Sequence, residues 1–180
     1  MKLNYTLHHR DYLKHLLYSS SKSKSFNNSR RKGLVFTISF YVLIAVVFYL
    51  ADYIYISYGV IAASIVSIFF YPTVSRNQYE NRFTKYISET LKNGNRVEIS
   101  LELKDQFIEL SDISGEVKLK YSSLEKIIEI TTHFFIKIRN GGTVIIPKTY
   151  AESENIEAVI KMLTEKIEIE YSKELDWDWK

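Results

Sequence analysis

Two long runs without a charge, residues 33–51 and 53–75, interrupt an otherwise ordinary alternation of polar and apolar positions. They hold 19 and 23 residues, and Asp52 alone separates them. In the first run Leu34, Phe36, Phe40, Leu43, Val47 and their neighbours cover every helical face, and Ile61, Ile65, Ile68 and Phe69 do the same in the second. A bilayer core needs about 20 apolar residues per helix, whereas a helix of a small soluble domain keeps a polar side. The pattern predicts a transmembrane helical hairpin over 33–75. Ala62, Ala63, Ser64 and Ser67 are small enough to let the two helices approach closely. The first run lies far from Met1, and no small-residue cleavage site follows it, unlike a cleaved signal.

Asp52 falls where the chain must reverse. A carboxylate inside hydrocarbon costs roughly 2.5–3.5 kcal/mol on insertion scales, so a wet turn is expected there. Tyr49, Tyr53, Tyr55 and Tyr58 surround it like an interfacial aromatic belt. The spans offer Asp52 no partner charge, as an ion path would require.

On the N-terminal side, Leu3, Tyr5 and Leu7 alternate as a short strand, residues 2–7. Asp11 is placed to cap a short helix carrying Tyr12, Leu13, Leu16 and Leu17. Residues 19–32, Ser-rich and basic, read as a solvated linker, which completes a first segment over 1–32. After the hairpin, Pro72 is expected to end the helix. Tyr79, Phe83, Tyr86, Ile87 and Leu91 then mark a separate amphipathic connector over 76–95, stopped by the Lys92-Asn93-Gly94-Asn95 turn.

From Arg96 the period becomes two: Val97, Ile99, Leu101 and Leu103 alternate with polar residues, and five further short runs follow. Asn140-Gly141-Gly142 is a hairpin signal suited to a tight primed turn. Ile156, Val159, Ile160, Leu163 and Ile167 form one helical stripe, with Ser153 or Thr149 as its cap. The predicted fold is an α+β membrane protein, with a two-helix transmembrane hairpin and a small antiparallel β domain over 96–170 closed by a C-terminal helix. That domain resembles a pleckstrin-homology-like arrangement. Residues 171–180 form an acidic aromatic tail. If the 2–7 strand returns to the sheet, the hairpin is an insertion after the first strand; otherwise the domain is a plain sandwich with a loose N-terminal segment.

Charge adds orientation. Residues 1–85 carry 11 Lys and Arg against 3 Asp and Glu, and residues 86–180 carry 13 against 18. A basic first half and an acidic second half are unlike a nucleic-acid binder with one long basic face. Lys22, Lys24, Arg30, Arg31 and Lys32 precede the hairpin, Arg76, Arg82 and Lys85 follow it, and its turn has no Lys or Arg. These are the expected membrane-interface residues. They place both termini in the cytoplasm, with the lipid bilayer as a partner whose anionic headgroups the basic residues meet. Without cysteine there is no disulfide frame, thiol catalysis or Cys-based zinc site.

The stretches GEVKLKYSSLEKIIEI, HFFIKI and TVIIPKTY, with Ile146-Pro147-Lys148 the most specific of them, resemble the YcxB-like family. The resemblance runs from the N-terminal strand through the double span to the last helix. It implies a small multi-pass protein of the bacterial inner membrane with a compact cytoplasmic domain, and it implies no established activity.

Catalytic chemistry is poorly represented. His8 and His9 adjoin, so on a strand they face opposite ways, and His133 reads as a surface residue after Thr131-Thr132. Neither a metal nor a cofactor is expected, and a nucleophile–base set is not apparent. Lys148, at a strand-to-helix junction after Pro147, is the ligand-binding candidate, for an anion such as a lipid phosphate. Lys137 and Arg139 could assist if they share its face. Trp177 and Trp179, outside any repeat, are contact candidates for the domain, a protein partner or a second copy in a homo-oligomer. The expected role is non-catalytic binding or scaffolding at the membrane's cytoplasmic face. The alternative is a membrane-surface enzyme or regulator acting on a lipid or peptide, and two uncharged spans argue against a transport component.

Overall fold

The computed structural model describes residues 1–90, 96–149, 153–167 and 169–179. In chain order the elements are β1 (Lys2–His8), α1 (His9–Lys22), α2 (Lys24–Leu50), α3 (Ile54–Thr90), β2 (Arg96–Leu103), β3 (Phe107–Asp112), β4 (Gly115–Lys120), a single 3₁₀ turn (Tyr121–Ser123), β5 (Leu124–Glu129), β6 (His133–Ile138), β7 (Thr143–Pro147), α4 (Ser153–Ile167) and β8 (Glu170–Lys173). They group into two compact units, a β unit of Met1–His15 with Thr84–Asp178, and a helical unit of residues 16–83 with Trp179.

The β unit contains two four-stranded sheets, ordered β1-β2-β3-β4 and β7-β6-β5-β8. The first is antiparallel throughout. β1 pairs with β2 along its whole length, from Lys2↔Glu102 to His8↔Arg96, so the segment between them is an insertion after the first strand. Alternation decides which face is inside: Leu3, Tyr5 and Leu7 are buried while Lys2 and Asn4 are exposed. In the second sheet β6 is buried over Phe134, Phe135 and Ile136 and lies between β5 and β7. The stripe on α4 is buried at Ile156, Val159, Ile160 and Leu163. The structure adds a strand where a tail was expected: β8 pairs parallel with β5, from Lys126↔Glu170 to Glu129↔Lys173. The β6–β7 connection is also longer than a two-residue primed turn. It spans residues 139–142, with positive φ at Gly141 alone; a four-residue loop asks for one left-handed position instead of two. The turn at 92–95, Leu91 and the Ser153 side chain lie outside the described residues.

The helical unit holds two helices long and apolar enough to cross a bilayer, α2 and α3. Their apolar faces are open, with Phe36 at 74%, Leu50 at 76% and Phe69 at 79% exposure. The helices touch through small polar groups: Ser57 Oγ donates to the Ala45 carbonyl at 2.9 Å, and Tyr41 Oη and Ser67 Oγ lie 2.9 Å apart. Gly33 leaves room for Tyr71 Oη, which donates to the Arg30 carbonyl at 2.9 Å; a Cβ there would stand 2.6 Å from that oxygen and displace it. Asp52 is exposed in the turn with φ +62°, a left-handed conformation that Asp tolerates better than most residues.

Two expectations fail in this unit. Residues 19–32 are helical, broken only at Ser23, whose hydroxyl caps α2 by accepting from the Phe26 amide at 3.3 Å. Phe26 explains why this polar stretch is ordered: its ring packs against Tyr79, Phe83 and Trp179. Nor does Pro72 end a helix, since α3 runs through it to Thr90. Proline removes one backbone bond, but its fixed φ is itself helical, and long apolar helices accommodate the loss.

Candidate functional site

The lysine at the strand-to-helix junction is already partnered. β7 ends at Pro147, opposite His133 on β6, as an edge strand permits. Lys148 Nζ donates to Glu129 Oε1 at 2.7 Å and lies 4.7 Å above the Phe134 ring. Glu129 also accepts from the Tyr171 hydroxyl, and Lys173 Nζ stands 3.8 Å from its other oxygen. Burial would raise the Glu129 carboxyl, but hydrogen bonds from Lys148 and Tyr171 and the two lysine charges outweigh it and hold the group below its usual range. The same burial and the Glu129 bond keep the Tyr171 phenol protonated. The result is an ion cluster that pins β8 and the end of β7 to β5.

The other two cations do not join it. Lys137 pairs with Thr143 at the opposite end of the β6–β7 hairpin, and Arg139 follows that end, where its Nε donates to the Leu124 carbonyl at 3.5 Å. Five strand steps, about 17 Å, separate the ends of β6, so Lys148, Lys137 and Arg139 do not form one anion site. Lys148→Ala is therefore expected to lower stability by about 1 kcal/mol through the loss of the Glu129 bond. Binding to anionic vesicles should stay unchanged in a flotation assay.

A second polar centre was not anticipated. His133 is 6% exposed, which corrects its reading as a surface residue. Its Nε2 lies 3.1 Å from Asp11 Oδ1, and its Nδ1 lies 2.7 Å from the Thr132 hydroxyl. Asp11 Oδ2 accepts the His8 amide at 2.7 Å from within the first turn, because α1 begins at His9, two residues before the cap expected at Asp11. The Asp11 carboxylate accepts from Nε2, and the Thr132 hydroxyl pairs with Nδ1. One carboxylate thus starts α1 and also ties that corner to the first residue of β6. His8 closes β1 and His9 opens α1, so the two never share a strand. Among the described residues, no group of three His, Asp or Glu side chains could hold a metal ion.

The tryptophans contact their own chain. Lys14 Nζ lies 5.5 Å above Trp177 within the β unit. Trp179 is 2% exposed in the helical unit, 5.9 Å from Phe26 and with the Arg30 guanidinium 5.5 Å above it. Of the three destinations open to them, each tryptophan takes contacts within its own chain, Trp179 buried and Trp177 half-buried. The basic interface residues all lie on helices: Lys22 ends α1, Lys24, Arg30, Arg31 and Lys32 fall in the polar part of α2, and Arg76, Arg82 and Lys85 follow the apolar part of α3. Arg76 pairs with Glu80 at 3.2 Å, Lys85 with Glu89 at 3.9 Å, and Arg82 stacks on Tyr79.

No protein-family model matches the chain, and neither a curated protein nor a solved structure is similar to it.

Proposed function

We propose that the chain is a membrane-anchored, non-catalytic binding or scaffolding protein of YcxB-like type at the cytoplasmic face of a bacterial inner membrane. In this reading α2 and α3 span the bilayer as a hairpin, and the β unit is a pleckstrin-homology-like module on the same chain. The observation that carries the proposal is the surface of the helical unit. Rings and aliphatic chains such as Phe36, Leu50 and Phe69 point outward along two helices of sufficient length, and a monomer in water rarely exposes so large an apolar patch. The flanks support an orientation, because the basic residues lie at the outer ends of both helices while the Asp52 turn has none. The order of the two sheets and the helix α4 after β7 support the comparison of folds, with β8 as an addition to it. The ion cluster at Lys148 and the Asp11–His133 contact favour structural over catalytic roles for those residues.

A cysteine replacing Asp52 tests the topology. It should react with a membrane-impermeant maleimide added to intact spheroplasts, while cysteines at either terminus should react only after lysis. Protection of the Asp52 position until lysis would reject the hairpin.

A further inference from the structure

Within the helical unit, α2 and α3 part around a cleft of about 310 Å³ at the ends remote from the Asp52 turn. That volume lies at the lower end of the range of ligand sites. α2 lines the cleft with Asn27, Arg30, Arg31 and Leu34, and α3 lines it with Tyr71 and Pro72. The four α2 residues follow the i, i+3, i+4, i+7 spacing of one helical face. Two arginines therefore stand on a stripe that meets the neighbouring helix, where close packing calls for small or apolar residues.

The walls are fixed. Tyr71 Oη donates to the Arg30 carbonyl across the space that Gly33 leaves, and Asn27 Nδ2 donates to the Ser21 carbonyl at 2.9 Å. The Arg30 guanidinium is held above Trp179. Arg31 is exposed, and among the described residues its guanidinium has no hydrogen-bond or ion-pair partner. Charge at this end is of one sign. Residues 16–83 carry seven Lys and Arg against Asp52 and Glu80 alone. Asp52 lies in the far turn, Glu80 pairs with Arg76 at 3.2 Å, and among the described residues no carboxylate lines the cleft. A guanidinium matches a phosphate through two parallel N–H···O bonds, so an anion of that shape is the complement.

Depth decides which anion. Arg30 and Arg31 stand just before the uncharged run 33–51, and Tyr71 and Pro72 lie just inside the end of the run 53–75. In the hairpin reading, on which this inference rests, that is the level where headgroups meet hydrocarbon on the cytoplasmic side. Basic pockets between transmembrane helices on that side suit phosphate headgroups. We propose that the cleft holds the phosphate of one anionic phospholipid, paired with Arg31 beside the charge of Arg30, with the start of its acyl chains against Leu34 and Pro72.

The test is native mass spectrometry of the full chain released from detergent micelles, titrated with a phosphatidylglycerol or with a phosphatidylcholine of the same acyl chains. One phosphatidylglycerol should be retained per chain at concentrations where phosphatidylcholine is not. Arg31→Gln should weaken that first binding by roughly tenfold or more, the value of hydrogen bonds to a charged group. Arg31→Lys keeps the charge and loses the planar fork, so it should weaken binding severalfold; diffuse attraction to a basic surface would leave lysine equal to arginine. Equal retention of the two lipids, either variant binding as the wild type does, or displacement of the lipid by millimolar inorganic phosphate would overturn the proposal, the last by assigning the cleft to a free anion. Insertion is read separately from the maleimide reaction of Asp52→Cys. A chain that inserts but retains no lipid loses this site alone, and a chain that does not insert loses both the site and the hairpin.

Discussion

A polypeptide of residues 96–180 will fail to melt cooperatively, and the same polypeptide preceded by residues 1–8 on a flexible linker will regain a sharp transition. The reason lies in what β1 contributes. Leu3, Tyr5 and Leu7 are all buried, and burying a large apolar side chain stabilises by roughly 1.5–3 kcal/mol. Three of them supply about 5–9 kcal/mol, comparable with the whole net stability of a domain. Removing β1 also strips the β2 edge of its partners over a seven-residue register, leaving a row of open amides and carbonyls prone to aggregate. Thermal melts by circular dichroism would decide it, and indistinguishable curves would show β1 to be dispensable.

The second large effect is acid lability. His15 is mostly buried, with its ring edge-on to Phe135 at 5.3 Å. Burial first, then the charges of Lys137 and His133, push its pKa down to about 4. In the unfolded chain it returns to about 6.5. Between those values the unfolded state takes up a proton that the folded state refuses, so stability is complete above about pH 6.5 and falls as the pH drops to about 4. The loss approaches roughly 3 kcal/mol at the lower end. Asp11 acts lower still. Burial would raise its carboxyl, but the hydrogen bonds from His133 and the His8 amide, with the imidazole charges of His133 and His8, hold it below the ordinary value. Its contribution therefore persists through the His15 window and is lost only as the pH falls below the usual carboxylate range. Urea denaturation of the wild type between about pH 7 and pH 4.5 should show a falling midpoint, and His15→Phe, which keeps a ring beside Phe135, should flatten the curve. An unchanged slope in the variant would remove His15 as the cause.

Much of the architecture is written locally. The change from a 3.6 to a 2.0 period at Arg96 marks the strands, and two uncharged runs around Asp52 mark α2, the turn and α3, because length and charge need no tertiary context. What escaped was non-local. The Asp11–His133 contact joins residues 122 positions apart, and nothing near either one announces the other. β8 has four residues with little alternation, and its pairing depends on β5 being already in place. The Ser-rich stretch of residues 19–32 has weak intrinsic helicity, yet Phe26 supplies an aromatic anchor that propensity does not weigh. Pro72 misled for the opposite reason, since a strong local breaker was overridden by the apolar helix around it.

The pairing of β1 with β2 has a kinetic side. The Met1 amine meets the Leu103 carbonyl at 3.3 Å although 102 positions separate them. Closing a flexible loop costs entropy that grows as the logarithm of its length, about 0.6 kcal/mol for each doubling. Once α2 and α3 have formed their hairpin, most of that intervening chain is no longer free, and the loop left to close is far shorter. A helical insert thus shortens the loop that the β1–β2 pairing has to close, which lowers the entropic cost of seating the opening strand.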